Sequence, residues 1–119
     1  MLDHIEFIVS DPERTVKMLH HFGYEVIRHT AHQGGAYELA CKEQPELILE
    51  IIKARPQDSL GMNHPAFAVE DRDAYSRIKE EVSYIPTELH LVKSSGRYVS
   101  NIFDENGIKW QMILKNTEE

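Results

Sequence analysis

The chain has 119 residues, 41% hydrophobic and 28% charged, which is the profile of one folded domain or two very small units sharing a core and excludes a compositional case for disorder. Its formal net charge of −7 excludes general nucleic-acid binding, which needs a basic footprint. No apolar run approaches the roughly 20 residues of a membrane span, no basic region followed by an apolar stretch marks a signal peptide, and a cytoplasmic protein is the default expectation.

The first element is a strand over Asp3–Val9, rich in β-branched and aromatic residues, with Ile5, Phe7 and Val9 on one face and His4, Glu6 and Ile8 on the other. A helix follows: Asp11 is an N-cap, Pro12 fits the first helical position and Glu13 the first turn. Val16, Leu19 and Phe22 recur at helical spacing, and Gly23 stops the helix. Strands are then expected over Glu25–His29, Gly35–Cys41 and Glu46–Lys53, with a hairpin turn at Lys42–Glu46. Cys41 reads as a small buried hydrophobe that has no disulfide partner in the chain. Ala54–Gly61, with Pro56, Asp58 and Gly61, is a surface connector.

The order then repeats. A strand spans His64–Val69, and Asp71 caps a helix striped by Tyr75, Ile78 and Val82. Ser83–Val92 has room for one short strand, and strands over Gly96–Asp104 and Ile108–Lys115 flank "DENG", a hairpin signal because Asn-Gly tolerates positive φ. "LDHIEFIVSD" and "MNHPAFAVED" align His4 with His64, Phe7 with Phe67, Val9 with Val69 and Asp11 with Asp71. Gly35, Tyr37 and Glu50 match Gly96, Tyr98 and Gln111 at an offset of 61. Four segments agreeing in order and spacing define two tandem modules, 1–55 and 62–119, within one domain covering 1–119. A repeated unit of this kind does not bury its apolar face alone.

Alternation assigns chemistry to one face. His4, Glu6 and Ile8, like His64, Ala66 and Ala68, face away from the module's helix, and so do Glu50 and Gln111 in the closing strands. Each module therefore offers one imidazole and one carboxylate or carboxamide inside strands, where apolar side chains usually sit. Two histidines, one glutamate and one glutamine suit a divalent ion such as Zn²⁺, Ni²⁺, Fe²⁺ or Mn²⁺ and leave positions for water or substrate. Such an ion polarises a carbonyl or acidifies water. Glu6, about 7 Å along the strand from His4, is a candidate general base. His20 and His21, at a helix C-terminal end, and His29, His32 and His90 read as structural or exposed.

These segments, "LDHIEFIVSDPERTV" with "LILEIIK" and "MNHPAFAVEDRDAYS" with "GRYVSNIFDENGIKWQMI", resemble the vicinal oxygen chelate superfamily, which contains glyoxalase I, bleomycin- and fosfomycin-resistance proteins and extradiol dioxygenases. The resemblance implies an α+β fold in which paired βαβββ modules form a cup-shaped, partly closed eight-stranded mixed sheet with helices outside. It also implies a homodimer, with modules in many members pairing across the two chains. Metal-dependent members carry ligands on the first and last strands of each module, which here are His4, Glu50, His64 and Gln111. Gln111 departs from the glutamate of glyoxalase I: an amide oxygen can ligate, but it takes no proton. The base would then be Glu50 or Glu6.

Three readings stay open at this level. The first is a divalent-metal-dependent lyase or isomerase of the glyoxalase-like group, acting on a small molecule chelated through two neighbouring oxygens. The second is a metal-free binding protein of the bleomycin-resistance kind, for which an acidic chain suits a cationic ligand. The third is a relative of the extradiol dioxygenases in which Glu50 supplies the carboxylate. Arg97, Tyr98 and Trp110 are candidate substrate-contacting residues.

Overall fold

The computed structural model describes residues 1–115. The elements follow the expected order twice. Module one comprises β1 (Leu2–Val9), α1 (Pro12–His21), β2 (Tyr24–Thr30), β3 (Ala36–Cys41) and β4 (Gln44–Lys53), with a 3-10 turn at His32–Gly34 before β3. Module two comprises β5 (Gly61–Val69), α2 (Arg72–Glu81), β6 (His90–Val92), β7 (Arg97–Phe103) and β8 (Lys109–Leu114). The architecture is α+β, with each module a βαβββ unit whose sheet is mixed. Module one runs in the order β2-β3-β4-β1 and module two in the order β6-β7-β8-β5. In each, the first and last strands are parallel and the rest antiparallel.

The chain divides into two compact units, His4–Asn63 and Met1–Asp3 with residues 64–115. The boundary thus shifts from the sequence expectation at both ends. The first residues run with the second unit, where the Ala68 N–H donates to the Met1 carbonyl at 2.7 Å. The connector stays with the first unit. It is clasped by Arg55, whose Nε and Nη2 each lie 3.0 Å from an oxygen of Asp58.

Both helices start as their caps dictate: Asp11 Oδ1 accepts from the Arg14 N–H and Asp71 Oδ1 from the Ala74 N–H. On α2 the expected stripe is real. Tyr75 is buried and joins Val69, Met112 and Leu114, with Ile78, Tyr98 and Ile102 packed against them. α1 differs. Phe22 is not part of a buried stripe but forms the C-cap and stays 67% exposed, and no residue of α1 is fully buried. Cys41, expected inside, is half-buried.

The β7–β8 turn corrects the Asn-Gly expectation. Only Gly107 takes positive φ, at +80°, while Asp104 organises the loop by accepting from the Asn106 and Ile108 N–H groups and from Trp110 Nε1. A longer turn with one left-handed residue replaces the two-residue form.

Candidate metal and proton-transfer site

The cross-strand register of module one builds a row of charged side chains. Glu6 stands opposite Glu50, Glu50 opposite Glu38, and Glu38 opposite Arg28. Directly paired residues present their side chains on the same face. The carboxylates of β1, β4 and β3 are therefore neighbours, and all three are buried, at 3%, 5% and 2% exposure. One step along the strands, Ile8, Ile52 and Ala36 form a second row in the same register, also buried. It is an apolar floor that excludes water beside the acidic row. The opposite face carries Phe7, Ile51 and Tyr37, and α1 packs on β2 and β4.

Arg28 reaches the row through a β-bulge. The β2–β3 register shifts between Val26 and Arg28, leaving Ile27 as the extra residue. Regular alternation would set Ile27 against Glu38. The bulge sets Arg28 there instead, with Nη1 3.9 Å from Glu38 Oε2.

Two imidazoles approach the row. His4, on the same face of β1 as Glu6 and 3% exposed, places Nε2 3.8 Å from Glu50 Oε1. His32, in the turn between β2 and β3, brings a ring nitrogen within 4.8 Å of carboxylate oxygens of both Glu6 and Glu50, and those two oxygens also lie within 4.8 Å of each other. Asn63 Nδ2 donates to Glu6 Oε2 at 2.5 Å and holds that carboxylate in place.

Burying three carboxylates in adjacent strands costs several kcal/mol per ion unless positive charge or hydrogen bonds offset it. A divalent ion bound by oxygen and imidazole nitrogen supplies such an offset. The donor set therefore fits a metal: His4 with Glu50, or Glu6 and Glu50 with His32, are groups from which two or three ligands can come.

Module two has the same layout with different chemistry. The row equivalent to Glu38–Glu50–Glu6 is Asn101–Gln111–Ala66. Gln111 is 8% exposed, and its Nε2 donates to Asn101 Oδ1 at 3.2 Å. That leaves the carboxamide oxygen as the acceptor Gln111 can turn elsewhere. His64 is 2% exposed and lies on the same face of β5 as Ala66.

The substrate-contacting candidates separate. Arg97 is half-buried and shares the face of Gln111 by alternation along β7. Tyr98 and Trp110 belong to the other face. Tyr98 packs in the α2-side cluster with the Arg72 guanidinium 5.1 Å from its ring centroid. Trp110 lies beside Phe67, rings 6.3 Å apart, and donates Nε1 to Asp104 at 2.9 Å. Tyr98 is part of the helix-side packing, whereas Trp110 remains partly exposed. Of the other histidines, His20 meets Glu25 at 3.1 Å on the surface, His29 stacks on Tyr37 with centroids 4.2 Å apart, and His90 Nδ1 lies 3.0 Å from the Glu88 carbonyl.

Sequence reasoning missed Glu38, Arg28 and His32. Glu38 carries the same signal as Glu50, a charged residue inside an apolar strand, in "GAYELAC". The bulge that aims Arg28 and the turn that aims His32 have no comparable signature.

Each βαβββ module carries one buried imidazole on the first strand of its sheet, and module one sets a row of buried carboxylates beside it. The match to a family model is specific: residues 1–112 fit the Glyoxalase/Bleomycin resistance protein/Dioxygenase superfamily, and the chain belongs to that family. Among curated proteins no sequence matches. Several solved structures share the fold. A Streptomyces coelicolor methylmalonyl-CoA epimerase in complex with 2-nitronate-propionyl-CoA is 18% identical at TM-score 0.75, the match covering 98% of this chain and 97% of that one. A Mycobacterium tuberculosis methylmalonyl-CoA epimerase is 16% identical at TM-score 0.79, covering 98% and 89%. A methylmalonyl-CoA epimerase in complex with methylmalonyl-CoA and NH4+ is 18% identical at TM-score 0.76, covering 99% and 96%.

Proposed function

We propose that the protein is a divalent-metal-dependent isomerase or lyase of the glyoxalase-like group, acting on a small molecule with two neighbouring oxygens. The observation that carries this reading is the buried Glu6–Glu50–Glu38 row with His4 against Glu50. His4 and Glu50 would supply two of the ion's ligands. Bound there, a divalent ion supplies stabilisation of negative charge developing on a substrate oxygen.

This chain's own residues would do the rest. Glu50, central in the row, is the ligand carboxylate and the base expected from sequence. Its neighbours Glu6 and Glu38 offer carboxylate oxygens that need not ligate. A substrate carbon seated over the row would meet Glu6 or Glu38 as proton acceptor. The accepted proton would then be returned to the same or a neighbouring carbon. The Ile8–Ile52–Ala36 floor keeps bulk water from competing for it. Asn63 would hold Glu6 in one orientation through the exchange. Acyl thioesters and hemithioacetals are the first substrates to try, the former because the epimerases named above have this fold.

The test has two parts. Protein purified without added metal is analysed for divalent ions and titrated with Mn²⁺ or Zn²⁺. The loaded protein is then incubated with methylmalonyl-CoA and with hemithioacetals in D₂O, and the substrate C–H is followed by NMR. Metal-dependent exchange that is lost in His4→Ala and at least ten-fold slower in Glu6→Gln or Glu38→Gln supports the reading. No ion taken up and no exchange with any substrate overturns it. The expected homodimer is checked by light scattering.

A metal-free binding protein is the second reading. The acidic row favours it in one respect, because a cationic ligand group could lie against buried carboxylates. Tight binding of a basic ligand by metal-free protein, unaffected by chelator, would separate it from the first.

A further inference from the structure

We propose a cation site contained wholly within module one and formed by Glu6, Glu50 and His32, in which the turn carrying His32 is the closing element. It does not depend on His64 or Gln111, and shares Glu50 with the arrangement proposed above.

Three features carry it. The ligand atoms of Glu6, Glu50 and His32 lie within 4.8 Å of one another. Two carboxylate oxygens and one imidazole nitrogen are a donor set for Zn²⁺, Mn²⁺ or Fe²⁺, and ligand contacts of about 2.0–2.2 Å require only that the three draw together around the ion. Second, the carboxylates are fixed. Glu6 and Glu50 stand opposite each other on parallel strands, both are buried, and Asn63 orients Glu6 as an outer partner orients a ligand.

Third, the backbone at His32 is shaped around that position. Gln33, Gly34 and Gly35 have φ of +49°, +88° and +136°. Gln33 pays a steric cost in the left-handed region that a glycine would avoid. The turn is nonetheless closed by hydrogen bonds, from the Gly34 N–H to the Ala31 carbonyl and from the Gly35 N–H to the His32 carbonyl, with the His32 N–H donating to Thr30 Oγ1 at 3.3 Å. Such a turn directs the half-buried ring of His32 at the carboxylates, although β2 and β3 themselves supply no imidazole to that place. An exposed ring would be the ordinary outcome for a histidine in a connection.

The site deepens the functional reading in one direction only. Module one could acquire and retain an ion by itself. The experiment therefore uses the full chain carrying His64→Ala and Gln111→Ala, titrated with Co²⁺ and followed by its visible spectrum, with Mn²⁺ affinity from calorimetry. One equivalent of Co²⁺ should still bind with a nitrogen-ligand spectrum. Adding His32→Ala should weaken binding at least ten-fold and alter the spectrum, and adding His29→Ala should change neither.

Loss of binding in the double variant, or binding indifferent to His32→Ala, overturns the proposal while leaving the isomerase reading intact. Binding that depends on His32 in a protein without exchange activity on any substrate does the reverse. Should the double variant fail to fold by circular dichroism, His32→Ala in the otherwise unaltered chain answers the same question. An unchanged Co²⁺ spectrum and affinity there also overturns the site.

Discussion

The two modules share one frame and differ in what they put on it. Across module one the central row reads Arg28, Glu38, Glu50, Glu6, and across module two the corresponding row reads Asn101, Gln111, Ala66. The register that aligns three carboxylates in one sheet aligns two amides and a methyl in the other. Amides satisfy each other, as Gln111 and Asn101 do at 3.2 Å, and need no counter-charge. Three buried carboxylates need one. The duplicated strand pattern thus fixes where polar side chains line up within each sheet, while the charge on them differs between the modules.

The largest effect should come from removing that asymmetry. Glu50→Gln gives module one the amide that module two already has. Divalent-cation affinity should fall at least a hundred-fold by calorimetry, and any isomerase activity with it, whereas Gln111→Ala should cost ten-fold or less. Equal losses from the two would break the comparison.

Next is the floor beneath each row. Ile52 is 0% exposed and Ile113, one step beyond Gln111 on the same face, is 5% exposed. Ile52→Ala and Ile113→Ala should each destabilise the fold by about 2–5 kcal/mol in denaturant unfolding. If only one of them does, the modules do not stand on equivalent cores.

The converse swap, Gln111→Glu, gives the neutral row a charge. We expect cation affinity to rise by about ten-fold, a change of about 1.4 kcal/mol, with the gain read by Mn²⁺ titration. A fall would mean that the amide is there for its hydrogen bond to Asn101 and not as a neutral ligand.

The smallest effect concerns the turns. Module one connects its last two strands through Lys42 and Glu43, and module two through a loop organised by Asp104. The hydrogen bond from Trp110 and those from the Ile108 and Asn106 N–H groups hold the Asp104 carboxyl below its ordinary value of 3.8. The folded-state value is lowered, so the stabilisation is present above pH 3.8 and is lost as the pH falls through the lower folded value. Asp104→Asn should flatten the acid side of a melting-temperature profile between about pH 4 and 2. An unchanged profile would remove Asp104 from the account.

Most of the frame was legible in the amino-acid order because each element has a local cause. Asp11 and Asp71 cap their helices, and alternation in "DHIEFIV" and "NHPAFAV" assigns the buried face, which is why His4, Glu6 and His64 are found where expected. The same pattern placed Glu50 and Gln111. What was not legible came from register and from irregular backbone. Glu38 gains its meaning only when β3 lies against β4, a pairing between positions 12 residues apart. His32 depends on three successive left-handed residues, one of them not glycine. Tyr98 looked like part of a pocket wall because aromatic side chains serve both surfaces, and it packs in the cluster around Tyr75 of α2.

The irregularity at Ile27 has a consequence for assembly. β2 is the outermost strand of module one's sheet, and its Val26 and Ile27 are exposed. A straight, apolar outer strand is a template on which a second chain can zip up by backbone hydrogen bonding. The extra residue spoils the even spacing such a zipper needs. Excising it would leave Arg28 across from Glu38, so a chain one residue shorter would keep its chemistry while exposing an adhesive border.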